Sequence, residues 1–254
     1  MSAPGDPFPA FLEALRARHL PRAAPADVRR GIQALSTLYV EKRDRFAPGA
    51  TFEGEGKRAA FALFYGPLHF LTLRGILRGL GAGDPPPRRI LDLGCGTGVG
   101  GAAWALEAGG AEVEAIDGSP WAVEEARWTF GTLGLAGRAR RGDAVRARFP
   151  GGGSGIIAAW FVTEVGPRER RGLLAGLLRA AGAGARVLVV EPIALPVTSA
   201  WWDAWSEAFG RAGGRADEWR FAAELPEDLR EMDRLAGLDH AELTARSLWM
   251  GGEK

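Results

Sequence analysis

The chain has one cysteine in 254 residues, Cys95, and only three lysines, three histidines, three methionines and two tyrosines. A single thiol excludes an intrachain disulfide framework and any metal cluster built on several cysteines, and no metal ligand set is expected. With lysine confined to Lys42, Lys57 and Lys254, nearly all of the 32 basic groups are arginine, so arginine counts by themselves carry little functional weight. Neither sign of charge is in excess. The 32 basic groups face 31 acidic ones for a net +1, which gives no global pull towards nucleic acid or a membrane surface. No uninterrupted apolar run approaches the roughly 20 residues of a bilayer span, and the acidic, proline-bearing start lacks a signal-peptide pattern. A soluble cytoplasmic protein without a membrane partner is expected, with room for one α/β domain and an appendage.

Glycine, by contrast, is abundant at 37 residues, and glycine and proline punctuate the chain. Pro4, Pro7, Pro9, Pro21 and Pro25 predict a loose arm over 1–25 with one short helix at 10–18. Val28, Ile32, Leu35 and Leu38/Tyr39 recur at helical spacing over 26–46, with Asp27 near the start. Residues 47–57 read as loop. The apolar segment 58–80 is helical in pattern, and Pro67 is expected to end or kink it near Tyr65, because proline has no N–H and clashes with the preceding turn. Gly81-Ala82-Gly83-Asp84-Pro85-Pro86-Pro87 breaks the pattern and separates a helical unit, 1–86, from a second unit, 87–254. From there strands at 89–93, 112–116, 137–141, 155–161 and 185–191 alternate with helices at 99–109, 119–133, 167–181 and 198–211. That order predicts a parallel sheet covered on both faces. Two further strands, 217–222 and 243–249, flank a helix at 226–236.

The most informative segment runs from Arg89 to Gly100. Ile90, Leu91 and Leu93 make a buried strand that carries one acid, Asp92, and Gly94-Cys95-Gly96-Thr97-Gly98 turns it into a helix. Glycines at such a turn let a ligand lie against bare main chain at a helix N-terminus. A turn that only cradles a pyrophosphate has no use for the Asp92 carboxylate, whereas a ligand with a cationic amino acid end does. A dinucleotide site stays open as an alternative: Gly96, Gly98 and Gly101 satisfy G-x-G-x-x-G, and Asp117 follows Gly96 by 21 residues. So does a glycine-rich turn without a ligand.

This strand, turn and acid resemble the first motif of class I S-adenosylmethionine-dependent methyltransferases, and the likeness extends over about residues 88–195. It implies a Rossmann-like, seven-stranded, mostly parallel sheet with helices on both faces, a core at 87–254 and a helical N-terminal lid at 1–86. It implies S-adenosylmethionine as co-substrate and S-adenosylhomocysteine as product. Carried over by position, Asp92 holds the amino end, while the turn of Gly94, Cys95, Gly96 and Gly98 lies against methionine and ribose. Asp117, with Gly118 behind it, accepts from the ribose hydroxyls, and Asp143 and the Ala144 main chain meet the adenine. Trp160 walls the site. Each has a plainer reading: Asp92 as a cap on the next turn, Ser119 capping a helix that begins at Pro120, Gly142-Asp143 as an ordinary turn. Strand alternation through Trp160 and Phe161 would send one of the two into the core.

Candidates for acceptor chemistry are fewer. Methyl transfer needs alignment and exclusion of water, and a base only where the acceptor is protonated. Tyr65 and His69 are the candidates in the N-terminal unit, although a histidine among apolar residues is more often a core residue. Glu164, after the fourth strand, can bind the acceptor, take a proton or simply start a surface helix. Glu191 at the end of the fifth strand is a further candidate for the acceptor pocket. Trp201, Trp202 and Trp205 fit a core or interface better than a substrate cage.

A narrower similarity runs through Ala158–Val165, Val187–Pro192, Glu218–Phe221 and Ala245–Leu248, which resemble the methyltransferase-like assembly proteins of small ribosomal subunits. Those carry cysteines in the segment corresponding to about 205–222, and this chain has none there. The expected function is in-line methyl transfer to a nitrogen, oxygen or carbon of a small-molecule acceptor, with ribosomal RNA methylation or a non-catalytic assembly role as the alternatives. Arg138, Arg140, Arg141, Arg146 and Arg148, with Arg168, Arg170 and Arg171, offer an RNA face or, more simply, solvated surface.

Overall fold

The computed structural model describes residues 5–41, 52–193 and 199–251. Its centre is a seven-stranded sheet: β1 (Arg89–Leu93), β2 (Glu112–Asp117), β3 (Gly137–Arg141), β4 (Ser154–Ala159), β5 (Arg186–Glu191), β6 (Arg215–Ala222) and β7 (Glu242–Met250). The order is β3-β2-β1-β4-β5-β7-β6. Strands β1 to β5 are mutually parallel, and β7 runs antiparallel to both β5 and β6. The central strands are buried along nearly their whole length, as strands covered on both faces must be, and their near-continuous Ile, Leu and Val runs supply that surface. At one edge β3 reads Gly-Arg-Ala-Arg-Arg and is mostly exposed, which blunts it against pairing with another chain.

Helices α5 (Val99–Glu107), α6 (Pro120–Thr132), α7 (Pro167–Gly182), α8 (Ser199–Arg211) and α9 (Glu227–Leu235) connect the strands. The two further strands expected after the parallel run are present as β6 and β7, which pair antiparallel. Strand β4 is shorter than the 155–161 predicted and stops at Ala159, so the alternation argument for Trp160 and Phe161 does not apply. Trp202, Trp205 and Phe209 of α8 are buried against β4, β5 and β7, in the core rather than at a ligand.

The N-terminal region departs most from expectation. Helices α1 (Phe8–His19) and α2 (Pro25–Glu41) precede α3 (Glu55–Ala60), a π-helical turn (Phe61–Tyr65) and α4 (Gly66–Gly79). Residues 42–46 of the predicted helix, and 47–51 of the predicted 47–57 loop, lie outside the described residues, as do the side chains of Leu38 and Tyr39; the end of that loop, from Glu55, is already helix α3. The arm is not loose from residue 8 onward. Phe8, Phe11, Leu12 and Leu15 are buried, and Phe8 stacks on Phe70 of α4 at 5.2 Å between ring centroids. Arg18 and His19 both reach the buried Glu125 of α6, at 2.8 and 3.1 Å.

Pro67 does not end the helix. The Gly66 N–H bonds back five residues to the Phe61 carbonyl, and the π-turn absorbs the register change just where proline would have lacked a donor. Glu55–Gly79 is therefore one helical stretch of 25 residues, with a mean hydropathy of 1.3 in its most apolar window. By length and composition it could span a bilayer, contrary to the expectation drawn from the interrupted sequence. In the fold 78% of that window is buried, and it serves as a core helix.

Candidate functional site

Strand order reverses between β1 and β4, so the crevice for a ligand opens beyond the carboxyl ends of these strands. A cavity of about 880 Å³ lies there, reached by the turns after β1, β2, β3 and β4 and by the segment 52–73. That volume is at the upper end of the ~300–1,000 Å³ usual for ligand sites, and suits two reactants side by side.

The turn after β1 is made by Gly94, Gly96 and Gly98, with left-handed φ of 64°, 52° and 78°. At Gly94 a side chain is doubly excluded, because its Cβ would stand 2.2 Å from the Phe161 ring. Asp92, 1% exposed, accepts from the Gly101 N–H at 2.7 Å in the first turn of α5. A Cβ on Gly101 would come within 3.0 Å of that carboxylate. Burial pushes the Asp92 carboxyl up to about 7, the Gly101 bond opposing and the charge of Asp117 adding to the rise. A negative charge set behind the N-terminus of α5 disfavours a pyrophosphate there and favours a cationic group. This is the physical ground for setting the dinucleotide alternative aside.

Asp117, at the end of β2, accepts from the Gly96 N–H at 2.9 Å and from the Ser119 N–H at 2.8 Å. One carboxylate thus ties the glycine turn to the start of α6, which Ser119 caps from its own hydroxyl. Each oxygen keeps a lone pair for a further donor. Burial raises the Asp117 pKa, the three backbone donors around it opposing. Gly118 lines the cavity beside it. Asp143 caps the short 3-10 turn Ala144–Arg146 through the Val145 N–H and pairs with Arg146, on the exposed side. Ala144 begins that turn, where the helical pattern gives its N–H no partner. Cys95 also lines the cavity, and burial, with the nearby Asp92 and Asp117 charges, keeps its thiol protonated.

On the far side the walls are aromatic and acidic. Trp160 is the one non-glycine residue with positive φ (54°) among those described, held by its N–H bond to the Val190 carbonyl at 2.7 Å. A bulky residue in that region is strained, and the strain sits at the cavity wall. Its indole stacks on His69 at 3.8 Å and 9° between planes. Burial drives His69 down to about 3, so the ring is neutral at physiological pH. Glu164 faces the cavity from the 3-10 turn Val162–Glu164 and accepts no hydrogen bond from the described residues. Its carboxyl is pushed up to about 7 by burial and then by the charges of Glu191 and Asp117. By surface area Glu164 is exposed, because the cavity is open; the full shift belongs to the site once a ligand has displaced its water.

The structure brings Asp92, Gly94, Cys95, Gly96, Asp117, Gly118, Asp143, Ala144, Trp160, His69 and Glu164 to one cavity. Gly98 shapes the turn but does not line the cavity; a Cβ there would stand 2.9 Å from Ala126 of α6. The structure does not bring Tyr65, whose hydroxyl donates to the Ile32 carbonyl at 3.1 Å between α2 and the π-turn; burial raises its pKa. Glu191 does not line the cavity either. It accepts from the Thr163 N–H and hydroxyl at 3.0 and 2.9 Å, and so shapes the turn that carries Glu164. Sequence reasoning missed Thr97, a 3%-exposed residue of the cavity lining whose hydroxyl is turned towards Gly66 and has no hydrogen-bond partner among the described residues. It missed Phe52, Arg58 and Phe61 too, whose only signal was membership of the N-terminal unit.

Residues 90–184 match the model of the methyltransferase domain family. Over 123 residues the chain is 37% identical to the ribosomal RNA small subunit methyltransferase C of Chromohalobacter salexigens; the alignment covers 45% of this chain and 34% of that protein. The chain thus spans about a third of that relative's length. Among solved structures, one from Nostoc punctiforme assigned as a candidate O-methyltransferase superposes with a TM-score of 0.54 at 14% identity, covering 86% of this chain and 72% of that one. An O-methyltransferase family protein from Burkholderia thailandensis gives 0.53 at 16% identity, covering 95% and 77%. The Rossmann-like fold is shared with both of these solved structures. The likeness to the methyltransferase domain family is thus confined to the stretch from Ile90 to Gly184.

Proposed function

We propose that this protein is an S-adenosylmethionine-dependent methyltransferase acting on a nitrogen, oxygen or carbon of a small-molecule acceptor. The observation that carries the reading is the single cavity in which the glycine turn and Asp117 face the same space as Trp160, His69 and Glu164. The residues present fit the co-substrate. Asp117 has lone pairs left for the two ribose hydroxyls, the buried Asp92 charge suits the amino end, and Asp143 with the Ala144 N–H suits adenine. S-adenosylmethionine, when bound, supplies a methyl carbon already activated by its cationic sulfur. The protein's task is then to align the acceptor and keep water out, which the aromatic wall serves. Glu164, poised near neutrality, can take a proton from an acceptor that must lose one. Residues 1–86 act in this reading as the lid over 87–254, contributing Phe52, Arg58, Phe61, His69 and Leu73 to the acceptor side. The proposal includes a cytoplasmic location, the reducing compartment that suits a chain whose one cysteine is a buried free thiol.

The identity to a ribosomal RNA methyltransferase over 123 residues favours a second reading, an RNA acceptor. Several of the arginines of the candidate RNA face are engaged within the protein. Arg138 pairs with Glu112 and Glu114, Arg140 with Glu114 and Arg146 with Asp143, while Arg170 binds three main-chain carbonyls. Calorimetry with S-adenosylhomocysteine tests the co-substrate. Asp117→Ala is expected to weaken binding ~30-fold or more, two charge-assisted hydrogen bonds being lost. Unchanged affinity would remove Asp117 from the ribose. A steep fall of RNA binding with salt would favour the second reading.

A further inference from the structure

The charges around the cavity say more about the acceptor than the fold does. Asp92 and Asp117 belong to the nucleoside end, and Asp143 is paired with Arg146. Glu53, Glu164 and Glu169 also line the cavity, and none of the three makes an ion pair among the described residues. One cationic side chain lines it among those residues, Arg58, and its Nε donates to the Phe52 carbonyl at 2.8 Å, with its guanidinium 6.0 Å from the Trp121 ring. The co-substrate brings a sulfonium and an ammonium against one carboxylate, a net single positive charge, which Asp92 and Asp117 already face. The acceptor side therefore keeps surplus negative charge beside an aromatic wall of Phe52, Phe61, the stacked His69–Trp160 pair and Phe161, in which Phe61 meets Phe52 and His69 edge to face.

We infer that the acceptor is an aromatic compound carrying a protonated amine, which packs among the rings of Trp160, Phe61 and Phe52 with its N–H groups directed at Glu164. Phosphate-bearing and carboxylate-bearing acceptors are selected against by the same three glutamates, since like charges in a partly desolvated cleft repel. Ammonium groups also gain from the faces of aromatic rings, which an anion does not. The inference rests on the methyltransferase reading and deepens it.

The test uses one ring at three charges: tryptamine, tryptophol and indole-3-acetate, titrated by calorimetry into the full chain saturated with S-adenosylhomocysteine. Tryptamine is expected to bind ~10-fold or more tightly than indole-3-acetate, with tryptophol between them. Glu164→Gln, which removes no hydrogen bond within the protein, is expected to shrink that preference to ~3-fold or less. The co-substrate reading is checked in the first titration: failure of S-adenosylhomocysteine to bind removes both claims. If it binds and the three indoles bind equally, or the acetate binds best, or none binds at millimolar concentration, the acceptor inference alone is overturned. A preference for tryptamine that survives Glu164→Gln overturns the role given to Glu164.

Discussion

Replacing Asp92 by asparagine tests whether the carboxylate behind the glycine turn is there for a ligand rather than for the fold. The substitution keeps an oxygen to accept from the Gly101 N–H and removes the charge. Burial raises this carboxyl from 3.8 to about 7, so between those values the folded protein holds more protons than the unfolded chain. Stability contributed at this site is therefore greatest at low pH and falls as pH rises through that window. A displacement of about 3 pH units sets a ceiling of ~4 kcal/mol on the loss at pH 8. Water in the adjoining cavity recovers part of it, and ~2 kcal/mol is the expected gain for Asp92→Asn at about pH 8. Urea unfolding of both proteins at about pH 4, 6 and 8 measures it, and the difference between them cancels every other titrating group. The gap should open from near zero at the acid end. Affinity for S-adenosylhomocysteine should move the opposite way, falling ~10- to 100-fold with loss of the ammonium's partner. A gap that is flat with pH, or an asparagine variant less stable at pH 8, would refute the reasoning.

Other outcomes follow from the same geometry. Tyr65→Phe should cost ~1 kcal/mol through the lost bond to the Ile32 carbonyl and leave methyl transfer within ~3-fold; a large fall in turnover would bring Tyr65 back to the chemistry. Glu125→Ala should destabilise by ~2–4 kcal/mol, because it strands Arg18 and His19 at the α1–α6 contact. Burial alone would raise the Glu125 carboxyl, but the His19 and Arg18 hydrogen bonds outweigh it and hold it below its usual range. Its stabilisation is therefore present at neutral pH and lost as pH falls through that lowered value, which acid unfolding of wild type and variant would display. His69, held near 3 by burial, should leave no limb in a pH–rate profile between about pH 5 and 8, and His69→Gln should not change the profile's shape there.

Much of the core was legible from local pattern. Ile90, Leu91 and Leu93 had to be a strand, and Gly94, Gly96 and Gly98 had to turn it, because few residues adopt those dihedrals and few runs bury both faces. Ser119 and Pro120 announced α6 in the same local way. The N-terminal unit was less legible. Prolines suggested a loose arm where Phe8 and Phe11 in fact pack on Phe70, since burial by a distant partner leaves no trace in spacing. Pro67 suggested a helix end, and the π-turn that admits it has no sequence signature.

What the sequence determined by itself is the sheet, the glycine turn and the two carboxylates that mark its ligand end, all set by neighbours within a few residues. Tertiary structure decided which side chains share the cavity. Tyr65 and His69 are four residues apart, yet one is spent on the Ile32 carbonyl and the other lies flat on Trp160. Glu191 and Glu164 looked alike at two strand ends, yet one is buried holding Thr163 and the other faces the cavity. These outcomes depend on contacts between segments far apart in the chain, and a residue's own neighbours carry no record of them.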